Sequence, residues 1–571
     1  MQQRSSALPE PVVSEEAPGH GQTATASDAG PKPDPQPAAG AEPPPFVPMH
    51  PARAAGYMSA SLLLALTQGL GMNLVAANIP QIQGAIGATT NEASWMIAAY
   101  MAPNVSLSLA LIKIRTQYGL RNFAEVSILG FVIACLLNLL ISDLPSAIIV
   151  RFMSGIAAAP MSTLGFLYML EPFPPQKKMQ VGLPLALTNI SLGAPVARLI
   201  SPTLFDIEGW HNVTTLEVAL ALVAFCLVYL LPLGQPQPRA RVIERLDVIS
   251  YFLIAIGFGA TAVVLVLGRL YWWFEAPWIG VTLALAVVCV AMAAVIELNR
   301  ENPLLDIRWL ASPAVLHFTG ALLIFRMVLS EQTTGAAGLF QVLGLGNSQT
   351  ATLYWIILAA SVAGGLSCAV VMKPGREPRL HLVALALLIV GALMDSRSTN
   401  LTRPEQMYVS QALIAFAGAL FLPPALLSGL MSALRKGPNY ILSFVIVFLT
   451  TQSLGGLAGS ALFGTFITWR EKFHSHALVE HLLLTDPVVA QRVAQLSGAY
   501  ARTLTDRALL NAEGIALLGQ QATREANILA YNDAFLLVAL LAALAFAGLL
   551  IHIAVDALRS RQGAALVSPF T

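Results

Sequence analysis

Long apolar runs separated by short polar stretches set the pattern of this chain. A run of about 17–25 apolar residues is long enough to cross the hydrocarbon core of a bilayer as a helix. Such runs fall near 57–79, 93–112, 122–141, 145–169, 181–203, 215–234, 247–268, 276–297, 313–333, 348–371, 380–396, 405–431, 440–468 and 531–555. They predict an all-α polytopic membrane protein with 14 transmembrane helices. The run at 380–396 is short, and the run at 440–468 is long enough to tilt or to include an interfacial turn. Residues 469–530 break the pattern, with apolar positions at helical spacing among charged ones. That segment predicts one or two amphipathic helices at or above a membrane surface, either a structural cap or a docking surface.

Loop charges orient the spans. With the N-terminus inside, 17 basic residues fall in inner loops and the C-terminal tail, among them Lys113, Arg115, Arg121, Arg239, Arg241, Arg300, Arg308, Arg559 and Arg561. The short outer loops hold only three, Arg269, Arg397 and Arg403. This positive-inside bias places both termini in the cytoplasm. Residues 1–56 are rich in Pro, Ala, Gly, Glu and Ser without apolar periodicity, and read as a disordered cytoplasmic tail. They lack the basic start and apolar core of a signal peptide.

Composition agrees with the span pattern. Charged residues make up 11% of the chain, against about 25% in ordinary soluble domains. The mean hydropathy is +0.68. A net charge of +1 gives no electrostatic case for nucleic acid. The four cysteines, 135, 226, 289 and 368, lie in apolar runs and form no CxxC, so neither a disulfide framework nor a metal site is expected. His474, His476 and His481 share the 469–530 segment without a cysteine to complete a metal site. No Walker A, HExxH, GxSxG or dinucleotide fingerprint is present, so the chain reads as neither an enzyme nor a nucleotide-driven pump, and no cofactor is expected.

Charges inside the spans carry the candidate chemistry. Arg151 lies about six residues from the outer end of span four, roughly 9 Å deep at 1.5 Å per residue. Arg198 lies in span five and Arg326 in span nine; Glu217 opens span six and Glu331 closes span nine. All five fall in the outer half. A charge there is costly unless it pairs, snorkels or faces water. Three arginines at one depth suggest a water-filled cavity with a positive lining, suited to an anionic or amphipathic organic substrate. Glu217 and Glu331 are candidate arginine partners and proton acceptors, with helix-end capping as the plain alternative. Asn73 in span one and Asn189 in span five could hydrogen-bond a ligand or a neighbouring helix. Trp95, Tyr100 and Trp355 fit belt or packing aromatics, or stacking platforms.

Several stretches resemble the major facilitator superfamily, specifically its fourteen-helix drug:proton antiporters of the EmrB and QacA kind. RFMSG at 151–155 resembles the fourth-helix Arg-x-x-Gln-Gly motif, with Arg151 and Gly155 matching and Ser154 in place of glutamine. ASWMIAAY (93–100), ENPLLDIRWL (301–310) and AYNDAF (530–535) resemble the opening of helix two, the loop before helix nine and the start of the last helix. The loop IKIRTQYGLRN (112–122) keeps Gly119 and a basic residue, Arg121, of the family's latch between helices two and three. GAPVARLISP (193–202) keeps only an Ala-Pro pair, with Pro195, of the helix-five antiporter motif. Gly71 stands where many relatives carry a helix-one aspartate.

The resemblance implies two six-helix halves, 57–234 and 313–555, with two linker helices at 247–297, the 469–530 segment as a long periplasmic loop, and a cytoplasmic tail at 556–571. It implies alternating access around a central cavity. The implied activity is export of small amphipathic or anionic organic compounds across a bacterial inner membrane, driven by protons. A periplasmic adaptor and an outer-membrane channel are the partners it suggests, beside the lipid bilayer and the small organic substrate. Without a helix-one acid, proton coupling would fall to Glu217 or Glu331. Uptake or exchange of an organic anion or metal chelate by the same fold, and a non-transporting receptor or scaffold, are the alternatives.

Overall fold

Apolar runs become helices because backbone groups in lipid have no water to bond and must pair within their own segment. The computed structural model describes residues 48–205, 210–234, 243–300, 303–373, 375–437 and 439–566, and is helical nearly throughout these. The expected tail lies outside the described residues through position 47, as do Arg239, Arg241, residues 301–302 and 567–571.

In chain order the long rods are α1 (Pro51–Ala77), α2 (Thr90–Tyr118), α3 (Leu120–Leu137), α4 (Leu144–Leu170), α5 (Leu183–Ser191 continued by Gly193–Phe205), α6 (Trp210–Leu230), α7 (Arg245–Leu267) and α8 (Pro277–Leu298). Then follow α9 (Pro313–Ser330), α10 (Ala351–Val371), α11 (Glu377–Asp395), α12 (Tyr408–Lys436), α13 (Asn439–Val479) and α14 (Arg507–Leu566). Among the described residues 12 helices are long and apolar enough to cross a membrane. The remaining two rods, α2 and α9, stand where spans two and nine were expected. Both carry charge within them: Lys113 and Arg115 in α2, Arg326 in α9.

Three boundaries differ from the sequence reading. Helix α1 begins at Pro51, inside the expected tail, and α14 runs on through Leu566, inside the other. The 469–530 segment is largely an extension of the rods beside it. Helix α13 continues to Val479, α14 starts at Arg507, and a separate helix, Pro487–Gly498, packs against α14. Arg470 Nε and His474 Nε2 fasten the α13 extension to α14 by meeting Asp533 Oδ2 at 2.6 and 2.7 Å. His474 therefore has a structural contact here.

The larger hydrophobic cores are two. One is built mainly from α1–α6, the other mainly from α9–α14, with Leu183 and Leu187 of α5 joining the second. Small residues let the rods close up. A Cβ on Gly155 of α4 would run into the Tyr100 carbonyl oxygen of α2, and Gly69 of α1 meets Gly193 of α5 backbone to backbone. Gly119 takes φ +85° at the corner between α2 and α3, a left-handed value that favours glycine.

Helices α7 and α8 sit at the side of the bundle. Helix α7 packs on α2 and reaches α13, and α8 packs on α7. The outer flank of α8 exposes Val281, Val287 and Val295, as a lipid-facing helix should. A charge cluster fastens the pair. Asp247 Oδ1 takes Lys113 Nζ at 2.7 Å and Arg300 Nη1 at 2.8 Å; Arg300 also meets Glu297 at 3.1 Å and Glu244 at 2.8 Å. Arg121, by contrast, pairs among the described residues with Glu125, one turn away on an exposed face. Such a pair contributes little. The basic residue that the α2–α3 region commits to a buried contact is Lys113.

Candidate functional site

Three polar groups interrupt the apolar interior. The first lies within α1–α6 and centres on Arg151, whose residue surface is only 2% exposed. Its Nη2 donates to the Gly71 carbonyl of α1 at 2.6 Å. Its guanidinium carbon stands 4.4 Å from the centre of the Tyr100 ring of α2. Arg151 Nε and the Tyr100 hydroxyl have no hydrogen-bond partner among the described residues. Glu217 of α6 reaches into the same space, where a Cβ on Gly71 would stand 3.7 Å from Tyr100 Oη and 3.9 Å from Glu217 Oε1. Asn138 Nδ2, at the end of α3, bridges Glu217 Oε2 at 3.4 Å and Ser154 Oγ of α4 at 3.3 Å. Five helices thus direct polar atoms at one point.

The backbone explains this convergence. Gly71 offers its carbonyl to Arg151, and Gly155 draws α4 onto α2, beside the Tyr100 ring. Glu217 does not cap α6; it is buried in that helix, about two turns from its start. The motif position that lacks an acid in α1 therefore faces an acid supplied by α6.

The second group lies within α9–α14. Glu331 is 0% exposed and opens a π-helical stretch, Glu331–Ala336, that continues α9. It too does not cap a helix end. The Gln411 amide of α12 donates to Glu331 Oε1 at 2.9 Å and to Asp395 Oδ2 of α11 at 2.8 Å. Ser410 donates its hydroxyl to Asp395 Oδ1. Asp395 and Gln411 were not singled out from the sequence. Asp395 closes the run LLIVGALMD, and an acid at the end of an apolar run reads as an ordinary boundary residue.

The third group joins the two halves. Arg198 Nη1 of α5 donates to Asn347 Oδ1 at 3.3 Å, and its guanidinium carbon lies 5.4 Å from the Tyr354 ring centre of α10. Asn347 Nδ2 reaches back to the Ala77 carbonyl and to Asn78 Oδ1, both at 3.2 Å, and Asn78 Nδ2 donates to Ser201 Oγ at 2.6 Å. A cleft of about 250 Å³ opens here, lined by Gln81, Arg198, Gln341, Asn347, Thr350 and Tyr354.

The three arginines therefore do not line one cavity. Arg151 lies in the first group and Arg198 in the third. Arg326 lies against Gly455 and Gly456 of α13, its Nε without a partner among the described residues. Shared depth along the sequence says nothing about the direction in which each helix turns its arginine. Asn73 bonds within α1, to the Gly69 carbonyl at 2.7 Å, and Asn189 ties α5 to Ser61 of α1 at 3.3 Å. Pro195 is buried in the second segment of α5, where Gly193, two residues earlier, makes the close approach to α1.

A family model described as Major Facilitator Superfamily matches residues 61–460. The chain is similar to the multidrug export protein EmrB of Haemophilus influenzae, 25% identical over 86% of this chain and 93% of that protein. It is equally similar to EmrB of Escherichia coli K12, at 25% over 84% of this chain and 91% of that one. Among solved structures, the human organic anion transporter MFSD10 superposes with a TM-score of 0.52 at 12% identity, over 86% of this chain and 100% of that one. At that identity the likeness is one of fold.

Proposed function

Because the chain belongs to the Major Facilitator Superfamily, we propose that this multi-pass membrane transporter exports small amphipathic or anionic organic compounds across the bacterial inner membrane. The observation that carries the reading is the buried Arg151–Tyr100–Glu217 group, set among five helices of one half. A packed scaffold has no need of a guanidinium with a spare N–H near a buried carboxylate held by an asparagine amide, and such intramembrane charges are expensive. In alternating access the halves α1–α6 and α9–α14 rock against each other, and the Arg198–Asn347–Asn78 bridge closes one end.

The neighbouring charges supply the coupling. Substrate donors and a proton compete for the same Glu217 oxygens, so loading one expels the other, and exchange follows. A second reading comes from the same geometry. An organic anion on Arg151 is held best when Glu217 is protonated, which couples anion and proton in one direction and favours uptake. The sign of the proton flux separates the two. In the export reading, the extensions of α13 and α14 meet a periplasmic adaptor that leads to an outer-membrane channel; exposed Val479, Leu483, Leu484 and Val488 support such a contact.

The experiment is proton movement in proteoliposomes on addition of aromatic and amphipathic organic compounds, acids and bases, with Arg151→Ala and Glu217→Gln in parallel. Counterflow of substrate and protons lost in Glu217→Gln supports antiport. Flux in the same direction supports the second reading. Substrate movement that both variants leave intact refutes the site.

A further inference from the structure

The polar group inside α9–α14 takes no part in that scheme. Glu331 and Asp395 come from different helices and meet at one amide nitrogen, Gln411 Nε2, 2.9 Å from Glu331 Oε1 and 2.8 Å from Asp395 Oδ2. Both are buried, and a single Gln411 amide nitrogen donates to both. The partners of the remaining oxygens matter. Asp395 Oδ1 is taken by Ser410, whereas Glu331 Oε2 is buried and has no donor among the described residues. Ionised carboxylates only accept hydrogen bonds. Two of them in contact repel, and one proton turns the contact into a hydrogen bond.

No cation offsets the pair. Neither acid has an ion-pair partner among the described residues. On α9, Arg326 precedes Glu331 by five residues and lies against α13. From α14, which packs on both the π-helical stretch and α11, come neutral Tyr531, Asn532 and Phe535, with Asn532 bonded to Ser398. From α13 comes Ser460, bonded to Thr334. Arg397 and Arg403, in the turn after α11, are exposed. Arg269 lies against Gly464 of α13, near Tyr531. The π-helical stretch supports a functional role, since such insertions recur at working sites in helices.

We propose that Glu331 and Asp395 hold one proton between them, on the carboxyl pair that meets at Gln411, and form a second proton-exchange site in the C-terminal half of the transporter. The shared proton stands on the geometry alone; its use in coupling rests on the transport reading above. Release leaves two carboxylates facing one amide group, so the proton departs when α9, α11 and α12 separate enough to admit water. Opening the site is therefore a movement among three helices of one half.

Two measurements on the full chain test this. Infrared spectroscopy of the purified protein in detergent at neutral pH, in light and heavy water, reads the carbonyl stretch of a protonated carboxylic acid. A deuterium-sensitive band lost in Glu331→Gln, shifted in Asp395→Asn and kept in Glu217→Gln is expected. A spectrum unchanged by Glu331→Gln overturns the shared proton even if transport is intact. In proteoliposomes, Glu331→Gln should lower the protons moved per substrate while substrate still binds. An unchanged ratio overturns the exchange role. If no compound moves in the unaltered protein, the transport reading and the exchange role fail together, and the infrared result still decides the shared proton.

Discussion

Removing the Asp247 carboxylate strands a buried lysine. In Asp247→Asn the shape is kept and the charge is lost. Arg300 retains Glu297 and Glu244, whereas Lys113 has no other ion-pair partner among the described residues and is buried. Breaking a buried pair by removing one member costs about 3–5 kcal/mol, because the other charge is left uncompensated. Deleting both charges avoids that penalty. The double variant Lys113→Met with Asp247→Asn should therefore be more stable than Asp247→Asn alone, with a coupling of about 2–3 kcal/mol, the upper part of the range for contacting residues. The assay is denaturant unfolding in detergent of the four proteins of the cycle, followed by tryptophan fluorescence. Asp247→Asn should shift the unfolding equilibrium by roughly a hundredfold or more. If the double variant loses as much as the sum of the singles, Lys113 and Asp247 are not coupled, and α7 is not fastened to α2 by this pair.

Two further outcomes follow from the packing. Tyr100→Phe removes a buried hydroxyl that has no partner and keeps the ring against Arg151, so stability in the same unfolding assay should stay within about 0.5 kcal/mol. Substrate-driven proton flux should weaken, since the hydroxyl faces Glu217; unchanged flux would remove Tyr100 from the site. Gly155→Ala drives a Cβ into the Tyr100 carbonyl, whereas Gly130→Ala meets nothing within 4 Å. The first should cost much of the folded yield on size-exclusion chromatography and the second should not, and equal yields would contradict the close approach of α4 to α2.

Some of the site was legible along the chain. Arg151 stands out because a lone guanidinium in an apolar run demands a partner, and the small residues around it foretell close packing. Its partners were not legible. The Gly71 carbonyl is a backbone atom, Tyr100 reads as a belt aromatic, and Asn138 sits 13 residues before Arg151 with no periodic link to it. Asp395 was missed because an acid at a helix end is ordinary until another acid is found beside it. The grouping of Arg151, Arg198 and Arg326 failed for the complementary reason. Depth follows from position in a run, but azimuth follows from how each rod packs.

The sequence by itself determined the helices, because twenty apolar residues in lipid have few alternatives to hydrogen-bonding within one segment. It also determined where those helices carry a charge too costly to be idle. Only the tertiary structure decided which charges meet. It placed Glu217 of α6 beside Gly71 of α1, brought Glu331 and Asp395 together across one glutamine, and set Lys113 against α7. Those pairings depend on the rotation of each rod about its axis. That rotation is fixed by contacts such as Gly69 on Gly193 and Gly155 on Tyr100, which span many helices and leave no local period in the chain.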